Sequence, residues 1–194
     1  MTQLNDLKIS QLTDITTDEL ARIGCGYVSN QKYQINRIQQ ENNYRFFLDL
    51  KPLDSPYKKT FTYNDDQIEY YRSVIAKGYS YKVVYQSRIL AFAIAEPESW
   101  NRTMWVWEFH VDPGYRGQGL GHRLMEKIIR VSSDADMRVV LCETQNTNVP
   151  AINFYSKMGF ELDAFDLSYY TNADVVNGEI AMFMKYKIQP SNQS

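Results

Sequence analysis

The chain lacks the residues that mark several classes of protein. Its 194 residues include only two cysteines, Cys25 and Cys142, and two histidines, so neither a disulfide framework nor a Cys/His metal cluster is expected. The longest apolar run, Ile89 to Ala95, is too short to cross a bilayer. The start of the chain has no basic segment followed by an apolar core, which predicts no signal peptide. We therefore expect a cytoplasmic protein with free thiols, no bound metal and no membrane partner.

An excess of basic charge is also missing. Lysine and arginine total 21 against 23 aspartates and glutamates, a formal net charge of -2, and this balance argues against a nucleic-acid partner. The length suffices for one hydrophobic core, which predicts a single domain over residues 1–194. Within it we expect an elaborated N-terminal part at 1–78, core motifs at 79–188 and a flexible tail at 189–194. The oligomeric state stays open, with a homodimer as the candidate assembly.

What the chain does have is a glycine-rich loop between a strand and a helix. Met104 to Val111 carries aromatic and β-branched residues and predicts a buried strand. Glycines let backbone N–H groups approach a ligand, and a helix N-terminus adds positive potential, so the loop after this strand suits a phosphate. Its glycines are Gly114, Gly117, Gly119 and Gly121, and the apolar residues at helical spacing after it are Leu120, Leu124, Ile128, Ile129 and Val131.

The spacing of this loop excludes two common phosphate-binding motifs. No Gly-Lys-Ser/Thr follows, so it is not a Walker loop, and it lacks the third glycine of a dinucleotide fingerprint. An ordinary glycine-rich turn between strand and helix is the alternative. The pattern Arg116-x-x-Gly119-x-Gly121, preceded by Val-Asp-Pro, resembles the acetyl-coenzyme A pyrophosphate loop of the GNAT N-acetyltransferase superfamily.

A second segment strengthens this resemblance. Val139 to Leu141 predicts a short strand, and Asn148-x-x-Ala151-x-x-Phe154-Tyr155-x-x-x-Gly159-Phe160 follows it. Ala151, Phe154, Tyr155 and Met158 fall on one helical stripe, and Gly159 is placed to end that helix. In GNAT enzymes such a strand and helix border the gap that the pantetheine arm of the coenzyme enters. The chain is identified as a member of this superfamily.

The resemblance implies a fold, a cosubstrate and a set of binding residues. The expected fold is α/β (α+β), the GNAT fold, with a mixed, mostly antiparallel sheet, helices on both faces and splayed central strands; the order of the predicted elements agrees with it. Acetyl-CoA is the implied cosubstrate, with Asn148 holding the pantetheine and Tyr155 near the sulfur. The residues expected to contact acetyl-CoA are Phe109, His110, Val111, Arg116, Gly117, Gln118, Gly119, Leu120, Gly121, Asn148, Ala151 and Tyr155.

The remaining elements follow from periodicity and from turn residues. A short helix, with Thr17 as the N-cap, or a docked turn is predicted at Thr17 to Ile23, and a helix is predicted at Asp65 to Lys77. The segment Lys51 to Lys59 contains Pro52 and Pro56 and is predicted to be a loop. Further strands are predicted at Tyr33 to Ile38, Tyr44 to Leu50, Tyr81 to Tyr85, Ile89 to Glu96, Glu161 to Leu167 and Glu179 to Tyr186, with turns at Gln86-Ser87 and near Asn172 to Gly178.

Several segments also resemble the streptothricin acetyltransferase group. They are Ser55 to Lys59, Glu98 to Arg102, Cys142 to Gln145 and Phe165-Asp166. This resemblance implies a small cationic antibiotic as acceptor, with Trp100, Glu108, Glu143 and Asp166 as the candidate acceptor-binding residues. One departure lies at Trp107-Glu108-Phe109-His110, where that group usually carries an adjacent acidic pair and only Glu108 remains. An acceptor of another kind is therefore kept open.

Two residues are the candidates for catalysis. An amine must be neutral to attack a thioester, so a base is needed, and Glu108 on the strand before the loop is the candidate. His110, two residues on, shares a face with it on a regular strand and is an alternative base through water; a packed strand histidine is the other interpretation. Tyr155 is the candidate donor to the departing thiolate, and a core tyrosine is its alternative. Cys142 is expected to be a small buried residue.

Three functions remain at this point. The first is transfer of acetyl from acetyl-CoA to a primary amine on a small cationic antibiotic, by direct attack in a ternary complex. The second is acetylation of a protein or peptide N-terminus, because the core motifs are shared. The third is a non-catalytic CoA-binding regulatory module.

Overall fold

A computed structural model describes residues 7–189, so the predicted tail lies outside the described residues except for Gln189. The strands are β1 (Lys8–Gln11), β2 (Tyr27–Gln40), β3 (Asn43–Lys59), β4 (Tyr81–Tyr85), β5 (Arg88–Glu98), β6 (Thr103–Val111), β7 (Val139–Gln145), β8 (Glu161–Asp166) and β9 (Ala181–Lys187). The helices are α1 (Thr17–Ile23), α2 (Asp65–Ile75), α3 (Leu120–Asp134), α4 (Val149–Lys157) and α5 (Asp174–Asn177). These elements form two compact units: the first holds the described residues up to Cys25, Phe61–Cys142 and those from Lys185, and the second holds Gly26–Thr60 and Glu143–Met184.

The first unit is built on a mixed sheet with the strand order β1-β4-β5-β6-β7. All neighbours are antiparallel except β6 and β7, which are parallel, so the predicted mixed, mostly antiparallel sheet is confirmed. Gln86 and Ser87 both have positive φ, at 47° and 65°, which makes the predicted tight turn between β4 and β5. The β6–β7 register ends at Val106 and Cys142 while β6 runs on to Val111, so the end of β6 has only β5 beside it.

Helices α1 and α2 cover one face of this sheet. Both begin with a capping box, Thr16 with Glu19 and Asn64 with Gln67. The predicted N-cap at Thr17 was wrong by one residue, because Thr16 is the residue in extended conformation whose hydroxyl accepts the Glu19 N–H. The core under these helices consists of Leu12, Ile15, Leu20, Ile23, Ile68, Tyr71, Val74, Ile75, Ile89, Phe92 and Ile94.

Strand β6 contains a bulge that changes the direction of its side chains. Glu108 lies opposite Ile94 and Val106 lies opposite Ala95, so Trp107 is an extra residue with no partner on β5. In a regular strand Trp105 and Glu108 would lie on opposite faces. The bulge places both on the face that carries Phe92, Ile94 and Glu96, which α2 covers.

The second unit contains the long two-stranded sheet of β2 and β3. The prediction of a loop at Lys51 to Lys59 was wrong, since β3 continues to Lys59. Proline disrupts a central strand because it cannot donate to the ladder, whereas in a two-stranded sheet each strand has an open edge. Pro52 pairs with Gln31 next to a register shift, which is where such a residue is tolerated.

Helix α4 packs on β2 and β8 in this unit. Its most buried side chains are Val149, Ile152 and Tyr155, so only Tyr155 of the predicted stripe belongs to the buried face, and Ala151, Phe154 and Met158 are half-buried. Gly159 has a φ of 87° and follows the helix as predicted. The predicted turn before β9 contains the one-turn helix α5, which ends at Gly178. Across residues 7–189, no helix combines the length and apolar character needed to span a membrane.

Two glycines of the second unit give a matched test of this packing. Gly26 and Gly178 both have positive φ, but a Cβ on Gly26 would lie 2.0 Å from the Lys59 carbonyl oxygen, whereas one on Gly178 would meet only Lys32 Nζ at 3.9 Å. We expect Gly178→Ala to cost about 1–2 kcal/mol of unfolding free energy from the left-handed backbone alone. Gly26→Ala should cost clearly more, because the backbone must also move. Urea unfolding of both variants measures the difference, and equal losses would contradict the close approach at Gly26.

Candidate active site

The loop after β6 is shaped to expose backbone N–H groups. Gly117 and Gly119 have φ of 75° and 82°, a conformation that other residues rarely adopt, and a Cβ built on either would meet no atom within 4 Å. Gly119 is the N-cap of α3 and offers no side chain to its first turn. The space beside these two glycines is therefore open at the positive end of α3, whose first N–H groups have no side-chain cap, and this arrangement fits a pyrophosphate.

One buried carboxylate anchors the start of this loop. Asp112 accepts hydrogen bonds from Gly114 N and from Arg88 Nη2, both at 3.0 Å, and forms an ion pair with Arg22. The Arg22 guanidinium also donates to the Ile89 carbonyl at 2.8 Å. Both arginines are distant in the sequence, so sequence reasoning missed them, although an acid directly after a buried strand was visible.

Two side chains of the loop, Arg116 and Gln118, donate hydrogen bonds to nearby backbone carbonyl groups. Arg116 Nε donates to the Val111 carbonyl oxygen at 3.1 Å, and Gln118 Nε2 donates to the Gly114 carbonyl oxygen at 3.3 Å. These bonds brace the segment between β6 and α3.

Glu108 forms the centre of a second cluster. One carboxylate oxygen accepts the Tyr71 hydroxyl at 2.5 Å, and the other contacts His110 Nε2. The side chains of Glu108 and His110 are 14% and 13% exposed, so the pair is largely shielded but not sealed from solvent. The prediction that Glu108 and His110 share a face is confirmed. The imidazole ring also packs against Phe61 and Phe92, with centroids 5.9 and 5.5 Å away.

This cluster keeps its tyrosines protonated. Burial, followed by the nearby charge of Glu108, raises the pKa of Tyr71 and of Tyr63 far above the ordinary tyrosine value. At neutral pH Tyr71 is therefore a hydrogen-bond donor to Glu108. Glu108 thus holds a hydrogen-bond donor on one oxygen and the His110 imidazole on the other.

A third cluster surrounds Glu96, which is buried on β5. One oxygen accepts Trp107 Nε1 at 2.6 Å and the Tyr70 hydroxyl at 2.9 Å, and the other pairs with Lys77. Burial raises the pKa of Glu96, but the bonds from Lys77, Trp107 and Tyr70 outweigh it and the pKa is lowered. Burial and the bond to Glu96 raise the pKa of Tyr70 to about 12. None of these contacts was predicted, because they join α2 to two strands.

The other predicted residues of the first unit lie apart from Glu108. Trp100 is 85% exposed in the turn before β6, at the end of that strand opposite the loop. From Thr103 to Glu108 the strand extends roughly 16 Å at about 3.3 Å per residue. Phe109 and Val111 lie opposite Ala93 and Ala91, on the face away from the Glu108 side chain.

In the second unit Asn148 is the N-cap of α4. Its Oδ1 accepts Ala151 N at 3.3 Å and its Nδ2 donates to Thr144 Oγ1 at 3.0 Å, which ties the helix to the end of β7. Tyr155 is 6% exposed, in the last turn of α4, with its ring 5.6 Å from that of Phe160. The packed ring and the predicted donor role are compatible.

The two acids predicted for the acceptor differ in their contacts. Glu143 accepts the Tyr170 hydroxyl, and the Gln145 side-chain amide donates to that same hydroxyl at 3.0 Å. Asp166 accepts Ser168 N at 2.9 Å and closes the turn after β8. Over residues 7–189 the structure groups no three His, Cys, Asp or Glu side chains in a way that could hold a metal ion.

A glycine-rich loop at a strand–helix junction, with a shielded carboxylate four residues upstream of Asp112, defines an α/β protein whose geometry suits an acyl-coenzyme. The profile of the acetyltransferase (GNAT) family matches residues 40–160. The chain belongs to this family and is an acetyl-CoA-dependent N-acetyltransferase.

Relatives and solved structures agree with this assignment. Streptothricin acetyltransferase from Escherichia coli is 30% identical over 132 residues, covering 66% of this chain and 70% of that protein. Streptothricin acetyltransferase A from Bacillus subtilis (strain 168) is 30% identical over 132 residues, covering 68% and 74%. The fold matches nourseothricin acetyltransferase (TM-score 0.71, 23% identity, 94% and 99% covered). It also matches a Bacillus anthracis protein assigned as a streptothricin acetyltransferase and solved with acetyl-coenzyme A (TM-score 0.72, 24% identity, 94% and 99% covered).

The loop makes a direct prediction for coenzyme binding. In Gly119→Ala the added methyl group would enter the space over the first turn of α3, and we expect the dissociation constant of coenzyme A to rise at least about 10-fold, or 1.4 kcal/mol. Gly114→Ala is the matched control, because its Cβ would make ordinary contact with Asp112 Oδ1 at 3.5 Å. Calorimetric titration of both variants, with circular dichroism to verify folding, gives the answer. If both variants bound coenzyme A with equal affinity, the prediction that the pyrophosphate binds at this loop would be wrong.

Proposed function

We propose that the protein acetylates a primary amine on a small cationic acceptor of the streptothricin type. The observation that carries the proposal is Glu108, held between Tyr71 and His110 on the strand that leads into the phosphate-binding loop. The names of the two relatives at 30% identity support the class of acceptor. The single domain, the homodimer, the cytoplasmic location and the roles of individual residues belong to the same proposal.

The chemistry divides between two residues. The acceptor ammonium gives a proton to Glu108, directly or through water, and the neutral nitrogen attacks the thioester carbonyl carbon in a ternary complex. The new C–N bond forms as the C–S bond breaks, and Tyr155 gives its hydroxyl proton to the leaving thiolate. The nitrogen, which still carries one proton more than the amide product, then loses it through water to the Tyr155 phenolate, and Glu108 returns its proton to solvent. Phe109 and Val111 offer strand backbone to the pantetheine arm, residues 116–121 hold the pyrophosphate, and Asn148 and Ala151 border the arm.

Acetylation of a protein N-terminus is the rival activity. A Bacillus subtilis relative described as a ribosomal protein bS18-alanine N-acetyltransferase is 34% identical, over only 38% of this chain. Incubation with acetyl-CoA and a panel of streptothricin, simple amines and N-terminal peptides, with thiol release as the readout, separates the candidates. Turnover of peptides alone would favour the rival. Coenzyme binding without any turnover would favour a regulatory module.

Glu108→Gln tests the base. The amide keeps the size of the side chain and cannot take the amine proton, so we expect kcat/KM to fall by about 10²–10⁴-fold while coenzyme affinity is retained. Raising the pH should recover part of the loss, because more of the amine is then neutral. Glu126→Gln, an exposed carboxylate on α3, is the control and should behave as wild type. Wild-type rates in Glu108→Gln at neutral pH would exclude Glu108 from the mechanism.

Tyr155→Phe tests the acid, because it removes one hydroxyl and keeps the packed ring. We expect single-turnover kinetics to show a slower chemical step, by up to about 10²-fold, with unchanged coenzyme affinity and thermal midpoint. Tyr27→Phe is the control in the same unit: the Tyr27 hydroxyl bonds to Thr147 Oγ1 at 2.7 Å, so its loss should lower stability and leave the chemical step alone. A fall in stability that matches the fall in rate at Tyr155 would instead assign it to packing.

A further inference from the structure

An open cavity of about 340 Å³ lies in the first unit between α2 and β6. Three of its walls are aromatic, namely Tyr70, Tyr71 and Trp107, and the first turn of α2 adds Asn64, Asp66 and Gln67 at the rim. It adjoins the proposed base, because the Tyr71 hydroxyl donates to Glu108.

The aromatic walls are held in a fixed arrangement. The rings of Tyr70 and Trp107 stand at 89° with centroids 5.4 Å apart, and both polar edges donate to the same oxygen of Glu96. Trp105 packs behind Trp107 at 5.0 Å. The hydroxyl and indole N–H groups point to Glu96, so the cavity meets those parts of the Tyr70 and Trp107 rings that neither Trp105 nor the edge-to-face contact covers. A preorganised aromatic corner needs little ordering when a ligand binds.

The charge around the cavity is negative. None of the six lining residues is basic, and Lys77 is bound to Glu96. Asn64 and Gln67 cap each other's backbone N–H groups in the capping box, so Asp66 is the lining side chain with a charge to offer.

We propose that this cavity binds a second cationic group of the acceptor, in addition to the amine that is acetylated. Aromatic faces attract ammonium and guanidinium groups, and a carboxylate at the rim adds selectivity for them. With that group in the cavity, the reacting amine is directed past Tyr71 toward Glu108. The inference rests on the proposed function and specifies how the protein distinguishes a polycationic acceptor from a simple amine.

The test compares two acceptors that differ by one cationic group, 1,5-diaminopentane and n-pentylamine. In Tyr70→Leu we expect KM for the diamine, and for streptothricin, to rise about 10-fold with kcat nearly unchanged, while the constants for pentylamine stay the same. Tyr70→Phe keeps the ring and should restore most of the affinity. Tyr44→Leu, at an exposed tyrosine of β3, is the control for a general effect of losing a ring.

A second pair of variants isolates the charge. Asp66→Asn should raise KM for the diamine and weaken its dependence on salt, whereas Asp65→Asn, in the same turn but not lining the cavity, should not. Binding of each acceptor is also followed by tryptophan fluorescence without coenzyme, so that the result does not depend on turnover.

The outcomes separate this inference from the proposed function. If the wild type acetylates the diamine but not streptothricin, the proposed acceptor is wrong. The cation-binding role of the cavity still holds in that case if Tyr70→Leu raises KM for the diamine and not for pentylamine. If the protein acetylates streptothricin and KM is unchanged in Tyr70→Leu and Asp66→Asn, the cavity does not bind the second cationic group, while the proposed function still holds. If KM rises equally for pentylamine and for the diamine in Tyr70→Leu, Tyr70 acts only in packing and the inference is overturned. The inference is also overturned if the wild type binds neither streptothricin nor the diamine.

Discussion

The bulge at Trp107 determines which side chains of the central strand can act together. Without the extra residue, the two tryptophans of β6 would lie on one face, and Glu108 and His110 would lie on the other. With it, all four meet the face that α2 covers, where Tyr70 and Tyr71 bind Glu96 and Glu108. The ladder loses one residue pair at this point. The Trp107–Glu96 hydrogen bond and the packing of Trp107 on the α2 core compensate for that loss.

The loop that follows β6 has a local geometry suited to a polyanion, although the net charge of the chain is negative. The first turn of α3 has no side-chain cap and its end adds positive potential, while Arg116 Nε donates to the Val111 carbonyl oxygen. Asp112 fixes the loop start through Arg22 and Arg88, which belong to α1 and β5. The start of the loop is thus fixed by α1 and β5, whereas the proposed base is held by α2.

The acidic groups near β6 clarify the departure from the streptothricin acetyltransferase pattern. That group usually has two adjacent acids on this strand, and here Glu108 stands alone in the sequence. In the folded first unit Glu96 reaches the same face from β5, and Asp66 reaches it from α2. Because Lys77 neutralises Glu96, Asp66 and Glu108 carry the available negative charge. Two elements, α2 and β6, therefore carry on this face the negative charge that the group's pattern places on a single strand.

Local patterns in the sequence were sufficient for the family, the glycine-rich loop, the Gln86-Ser87 turn, the end of α4 at Gly159 and the position of Glu108 beside His110. Each depends on residues within a few positions, whose backbone preferences and spacing are readable from the chain itself. The tertiary structure alone decided the bulge at Trp107, the continuation of β3 through Pro52, and the partners of Asp112, Glu96 and Glu108. Those features depend on which strand edge is open and on which distant side chains meet. The open strand edge and the contacts between distant side chains are both determined by burial and by pairing between remote segments, and the spacing of residues along the chain does not encode them.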